Sequence, residues 1–291
     1  MKNSRHTLSK PAGHDIPPRQ DPPAIEEFQK MVLDFYREYG RDLAWRETTD
    51  PYRILVSEIM LQQTQVERVT VKYPAFLSGF PDFPSLAQAP LADVLTVWQG
   101  MGYNRRAISL QKSARRVVEE FDGVLPQDPD LLSTFPGIGK ATAASICAFA
   151  FNMPVVFIET NIRRVFIHFF FEEDKPVHDA DILPLVQKAL YRKNPRIWYW
   201  ALMDLGSALR KTVPNPNRRS AQYVRQSAFE GSDREIRGKI LQMLLKNPDQ
   251  VYEDLIRNTG GDRDRVLRIL NTLEKEGFLT HTGNRIAIQS R

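Results

Sequence analysis

Apolar residues recur along most of the chain at spacings of three and four, the signature of helices that bury one face. Ile25, Phe28, Met31, Val32 and Phe35 mark a helix over 24–39. After a turn at 46–51, Ile54, Leu55, Ile59, Met60 and Val66 mark a second, continuous over 52–76. The same spacing predicts helices over 86–98, 104–121, 131–135, 140–151, 160–171, 181–191 and 196–209. No stretch alternates for long enough to suggest a sheet protein, so the main body reads as mostly α.

The pattern changes at Arg210. Residues 210–232 are polar, basic and broken by Pro214 and Pro216, which reads as a linker or an irregular wrap. Three amphipathic segments follow, over 234–246, 251–259 and 263–276, and then an apolar hairpin over 278–288 with Gly283-Asn284 at its turn. That is the outline of a winged helix-turn-helix, a module that binds DNA in some proteins and docks other proteins elsewhere. Residues 1–23 are proline-rich and aperiodic and read as a disordered tail. The expected division is thus a tail (1–23), a helical body (24–209), a basic linker (210–232) and a winged-helix-like domain (233–291).

Composition narrows the function classes. Hydrophobic residues make up 42% of 291, enough for a sizeable core. The net charge of +5 leans basic, which suits nucleic acid but also many other soluble proteins. Cys147 stands alone in an apolar helix, so no internal disulfide can form, and an iron–sulfur cluster needs about four thiolates. His6, His14, His168, His178 and His281 show no metal-ligand spacing. No metal is expected. Without an apolar signal core or a membrane-length apolar run, the expected location is the cytoplasm, with no membrane partner.

Three segments carry candidate chemistry. In Phe135-Pro-Gly-Ile-Gly-Lys140, two glycines lie one residue apart between helices. The backbone N–H groups of Gly137 and Gly139 could approach a phosphate at a helix N-terminus, with Lys140 and Thr142 beside it; the plainer alternative is an ordinary interhelical turn. Glu159 follows an apolar run and opens a helix, where a carboxylate could stabilise a cation developing on a sugar or could cap the helix. Glu58 sits within an apolar helix, where burial would raise its pKa and suit it to proton donation; a solvated helix face is the alternative.

These blocks, in this order, resemble the endonuclease III superfamily of helix-hairpin-helix base-excision DNA glycosylases, and most of all its A/G-mismatch adenine glycosylases. The matching segments are Leu43-Ala-Trp-Arg46, Pro51-Tyr52, Ser57-Glu-Ile-Met-Leu-Gln-Gln-Thr-Gln-Val66, Trp98-Gln-Gly-Met-Gly-Tyr103, Phe135-Pro-Gly-Ile-Gly139 and Met203-Asp-Leu-Gly206. The resemblance runs from about Ala24 to Leu209. It implies a helix-hairpin-helix glycosylase fold followed by the winged-helix-like domain. It also implies a monofunctional enzyme that hydrolyses the bond between a mispaired base and its sugar, the base most readily being adenine opposite guanine or oxidised guanine. Thymine or uracil glycosylase activity and lesion binding without cutting are the alternatives. By the same resemblance Glu58 protonates the departing base, Glu159 stabilises the sugar cation and helps activate water, and Asn161 orients this chemistry. Gln62, Gln63 and Tyr103 would wedge into the duplex while the base is flipped out. The partner is double-stranded DNA bearing a mispair or damaged base, bound by a monomer.

The sequence departs from that family in four respects, at three places. Glu159 stands where an aspartate is usual. Ala141 stands where bifunctional relatives carry a Schiff-base lysine, and Lys140 matches a basic but non-catalytic position. Adenine enzymes often have Ser or Tyr where Ala141 lies, so that contact is missing. The cluster cysteines that would begin near Arg210 are absent; Arg210-Lys-Thr-Val-Pro-Asn-Pro-Asn-Arg-Arg219 replaces them, with Arg218 and Arg219 as candidate phosphate contacts and a plain linker as the alternative. No cofactor is expected.

Overall fold

The computed structural model describes residues 22–172, 175–224, 228–260 and 262–290. The tail expected over 1–23 lies outside them except for its last two residues, as do residues 225–227 of the expected linker. The helices in chain order are α1 (Ile25–Tyr39), α2 (Pro51–Leu61), α3 (Val66–Gly79), α4 (Phe83–Gln88), α5 (Leu91–Trp98), α6 (Arg105–Glu120) and α7 (Pro129–Leu132). They continue with α8 (Lys140–Phe151), α9 (Thr160–Phe170), α10 (Asp179–Ala189), α11 (Pro195–Thr212), α12 (Asp233–Lys246), α13 (Tyr252–Thr259) and α14 (Arg263–Lys275). Strands β1 (Gln250–Val251), β2 (Leu279–Thr282) and β3 (Arg285–Ile288) form an antiparallel sheet in the order β1-β3-β2.

Helix starts follow local chemistry. Asp50, Asp82 and Asp128 accept hydrogen bonds from first-turn amides of α2, α4 and α7, each with a proline in that turn. Two helices predicted as continuous are broken. The 86–98 helix parts at Ala89, which is held extended before Pro90. The 52–76 helix parts at 62–65, where Gln63 adopts a φ of +52°. The breaking agent there is remote: buried Arg106 on α6 donates to the carbonyls of Ile59, Met60 and Gln62, the groups a continuing helix would have used.

The described residues divide into two units with separate cores: those up to 41 with those of 152–224, and those of 42–151 with those from 228 onward. In the first, α1 packs on α11, and α11 on α9. Phe28 of α1 meets Phe166, Phe169, Phe170 and Trp198 edge-on. The buried Asp204 accepts from the backbone N–H and the guanidinium of Arg41, so the Met203-Asp-Leu-Gly206 segment ties the end of α1's loop to α11.

In the second unit, α2 packs on α8 and α4 on α6, around Trp98, Phe76, Ile54 and Leu55. Helices α7 and α8 flank the Ser133–Gly139 hairpin. The winged helix belongs to this unit: α12, α13 and α14 bury Ile240, Leu244, Leu255, Leu270 and Leu273 beneath the small sheet. Gly283, with φ +60°, turns β2 into β3 where the sequence placed the hairpin tip. Among the described residues no helix is long and apolar enough to cross a membrane.

Candidate active site

Glu58 lies in the last two turns of α2, half-buried on a helix that is otherwise apolar. Its Oε2 is within hydrogen-bond reach of Ser145 Oγ on α8, and that hydroxyl is also 3.0 Å from the Thr142 carbonyl. A serine hydroxyl holds one proton, so it can donate to only one of the two at a time. When it donates to Thr142 O, it is left as an acceptor for a proton carried by Glu58. When it donates to Glu58, the carboxylate is stabilised as an anion. The pair therefore accommodates Glu58 in both protonation states. Ser145 was not among the residues singled out from sequence; it sits 87 positions from Glu58, and only the packing of α8 on α2 brings it there.

The α2–α3 turn and the hairpin meet in the same unit. Gln62 Nε2 donates to Gly137 O at 3.1 Å and approaches Thr142 Oγ1 at 3.3 Å, so three of the expected DNA-contacting residues touch. Gly137 has φ +75°, and a Cβ there would fall 2.6 Å from that of Ser109, so glycine is required by the fold. At Gly139 a Cβ would meet nothing within 4 Å, so no internal packing demands a glycine. Lys140 is exposed at the start of α8, and Ser113 Oγ and Arg116 hold the hairpin by the carbonyls of Pro136 and Thr134.

Arg106 is the main support of this surface. Besides the end of α2 it donates to Met101 O and Gly102 O, so one guanidinium binds both the turn bearing Gln62 and Gln63 and the loop bearing Tyr103. Burial pulls its pKa down to about 10, with Tyr103 opposing, which leaves it charged at neutral pH. Tyr103 itself has φ +46°, and the hydroxyl accepts a 2.8 Å hydrogen bond from Arg234 in the first turn of α12. Glu276, after α14, pairs with Arg105 and Arg237. A cleft of about 1480 Å³ lies here, lined by Gln63, Arg68, Tyr103 and Arg234 among others, with six cationic side chains against two carboxylates.

In the other unit, Glu159 caps α9. Its Oε1 accepts from the N–H groups of Asn161 (2.6 Å) and Ile162 (2.8 Å), and its Oε2 lies 3.3 Å from Asn161 Nδ2. The capping alternative is thus realised in the structure and brings Asn161 onto the carboxylate. The residue is half-buried. Burial raises its pKa, against the pull of the two backbone amides and of Arg164 and Arg163. Buried Arg164 donates to Asn161 Oδ1 and Gly206 O, both at 2.7 Å, and to Asn215 Oδ1. With its oxygen so occupied, the Asn161 amide must present its nitrogen to Glu159.

Residues 210–219 are folded rather than trailing. Helix α11 runs on to Thr212, and Pro216–Arg219 form a 3-10 turn with Asn217 buried. Arg219 donates to Phe171 O, whereas Arg218 is exposed. This segment holds no thiolates, and Cys147 is buried in α8 with burial pushing its thiol up to about 11. One thiol does not fit an iron–sulfur cluster, which needs about four thiolates.

Comparison with known proteins agrees with this arrangement. Residues 56–182 match the family described as HhH-GPD superfamily base excision DNA repair protein. Residues 233–280 match the winged helix-turn-helix DNA-binding family. The chain is 34% identical over 277 residues to the adenine DNA glycosylase of Mycolicibacterium smegmatis, a match covering 87% of this chain and 92% of that one. It is 38% identical over 144 residues to the adenine DNA glycosylase of Buchnera aphidicola subsp. Baizongia pistaciae, covering 49% of this chain but only 41% of the relative's length. Among solved structures, a thermostable thymine-DNA glycosylase superposes with a TM-score of 0.59 at 27% identity, covering 63% of this chain and 86% of that one. A mostly helical chain with a glycine hairpin and a winged helix, matched by these relatives, belongs to the helix-hairpin-helix base-excision DNA glycosylases of the HhH-GPD superfamily.

Proposed function

We propose that the protein, as a single chain, releases adenine from mispaired double-stranded DNA by hydrolysis, without a metal and without cutting the strand. The observation that carries the reading is the Glu58–Ser145–Thr142 arrangement, which suits α2 to hand a proton to a departing base. Glu159, held by two amides and by Asn161, supplies a fixed negative group for a sugar that becomes cationic as the bond breaks, and then an acceptor for a proton of the attacking water. The amides at Gly137 and Gly139, with Lys140 and Thr142, hold a backbone phosphate. The open space beside Gly139 is what a phosphate needs. Gln62, Gln63 and Tyr103 enter the duplex where the base leaves. Adenine is preferred because several relatives carry that name, and hydrolysis without strand cutting is preferred because Ala141 has no amine with which to form a Schiff base.

A second reading, excision of thymine or uracil opposite guanine, is favoured by the likeness to the thymine-DNA glycosylase. A panel of duplexes with single mispairs, treated with hot alkali after incubation, separates the two. Strand breaks at adenine opposite guanine or oxidised guanine support the proposal. Breaks only at thymine or uracil replace it with the second reading, and a borohydride-trapped protein–DNA adduct contradicts the monofunctional chemistry.

A further inference from the structure

The turn that stands after α11 has its own work in the first unit. Asn217 is buried and its Nδ2 donates to the carbonyl of Thr160, the first residue of α9, at 2.9 Å. Asn215 Oδ1 accepts from Arg164 Nε at 3.2 Å, and also from the backbone N–H of Asn217, which closes the turn. The far end is fastened by Val177, whose N–H donates to Arg219 O and whose carbonyl accepts from the Ala221 N–H. Two side chains of a five-residue segment therefore grip the first turn of α9 from outside: one at Thr160, the other through Arg164, which holds Asn161. Both grips converge on the residues around Glu159.

The chemistry of Asn217 points away from a purely structural purpose. Its Oδ1 is buried and finds no hydrogen-bond partner among the described residues. An acceptor left unpaired costs stability, so a small apolar residue would serve the fold as well. What Asn217 provides is a single donor aimed at one carbonyl next to Glu159.

We propose that the Asn215–Arg219 turn is a positioning element for Glu159, with Asn217 fixing the Thr160 peptide and Asn215 steering Arg164 and hence the Asn161 amide. The catalytic part of this inference rests on the role proposed for Glu159; the structural part does not.

The test uses the full-length chain with Asn217→Ala and, as the isosteric companion, Asn217→Asp, whose carboxylate cannot donate to a carbonyl. Hydrogen exchange is measured at the Asn161 and Ile162 amides, those capped by Glu159. Single-turnover base release is measured beside binding to a duplex with an uncleavable target nucleotide. Exchange at those two amides should quicken about tenfold while amides later in α9 stay protected. Base release should slow about tenfold in both variants with duplex affinity almost unchanged, and the melting temperature should stay nearly unchanged in Asn217→Ala but fall in Asn217→Asp, which buries a charge. In a Glu159→Gln background, Asn217→Ala should slow release no further, because the group it positions is gone. Unchanged exchange at Asn161 and Ile162, or a uniform loss along α9, overturns the proposal; so does an equal rate loss in both backgrounds. If the two amides lose protection but the unaltered protein releases no base from any mispair, the positioning contact stands and the catalytic reading of Glu159 falls.

Discussion

The two carboxylates assigned to the chemistry are held in opposite ways. Glu58 projects from the last turns of a regular helix and is met by a side-chain hydroxyl that can face it as donor or acceptor. Glu159 precedes a helix and is fastened by two backbone N–H groups, which can only donate. A hydroxyl adjusts to a proton that comes and goes, whereas amides can only donate, and here they oppose the burial that raises the pKa of Glu159. The difference agrees with the roles proposed for them: the adjustable site suits the acid, and the donor-only site suits the charge that faces a cation.

The sharpest way to break that distinction is Glu58→Gln, which keeps the shape and removes the proton. Single-turnover release should fall by ~10²–10⁴-fold with duplex binding retained. Turnover within a few-fold of the unaltered protein would remove Glu58 from the reaction.

On the other side, Gly206 of α11 tests how tightly the Glu159 region is built. Alanine normally stabilises a helix interior relative to glycine. Here a Cβ would land 2.5 Å from the Asn161 carbonyl oxygen and 2.7 Å from the Asn161 Cβ. Gly206→Ala should therefore destabilise by about 1–3 kcal/mol, read as a lower urea midpoint. A raised midpoint would mean that α9 gives way freely.

Ser145→Ala leaves Glu58 in place but takes away its adjustable partner. Hydrogen bonds to charged groups contribute about 1.5–3 kcal/mol, so a loss of about tenfold in release rate is expected. Unchanged kinetics across pH would show that Glu58 holds its proton without help.

The smallest change is Glu159→Asp. Aspartate is the better helix cap and reaches the same two amides, so release should stay within about tenfold of the unaltered protein. An inactive aspartate variant would show that the site is built around the longer side chain. Glu159→Gln adds a dependence on pH. Burial raises the folded pKa of Glu159, so its stabilising contribution is present below the unfolded value and is lost as pH rises through the folded one. The melting temperature of Glu159→Gln should accordingly gain on the unaltered protein as pH rises above the ordinary carboxylate range, and the opposite trend would reverse the sign.

The division between what could be read from the sequence and what could not follows distance along the chain. The apolar spacing of α1 and the helix starts at Asp50, Asp82 and Asp128 are local, and each is visible in a window of a few residues. So is the choice at Glu159 between a cap and a catalytic group, of which the structure shows the cap. The break at 62–65 has no glycine or proline to announce it, because its cause is Arg106, 44 positions beyond Gln62. Asn217 lies 57 positions from Thr160, and within its own neighbourhood it looks like one more polar residue of a linker. Arg106 stands beside Arg105 in a polar stretch, and nothing nearby says which of the pair is buried. Only contacts between distant segments could reveal these supports.

The bond between Arg234 and Tyr103 joins the terminal module to the very loop expected to enter DNA. Thermodynamic linkage makes such a joint reciprocal. A duplex that draws Tyr103 from Arg234 must spend part of its binding energy on the module's first helix, and any ligand that displaces that helix returns the same amount to the loop. If Tyr103 does enter the duplex, affinity for DNA is shared by the two folds, and trimming either one alters the balance of the other.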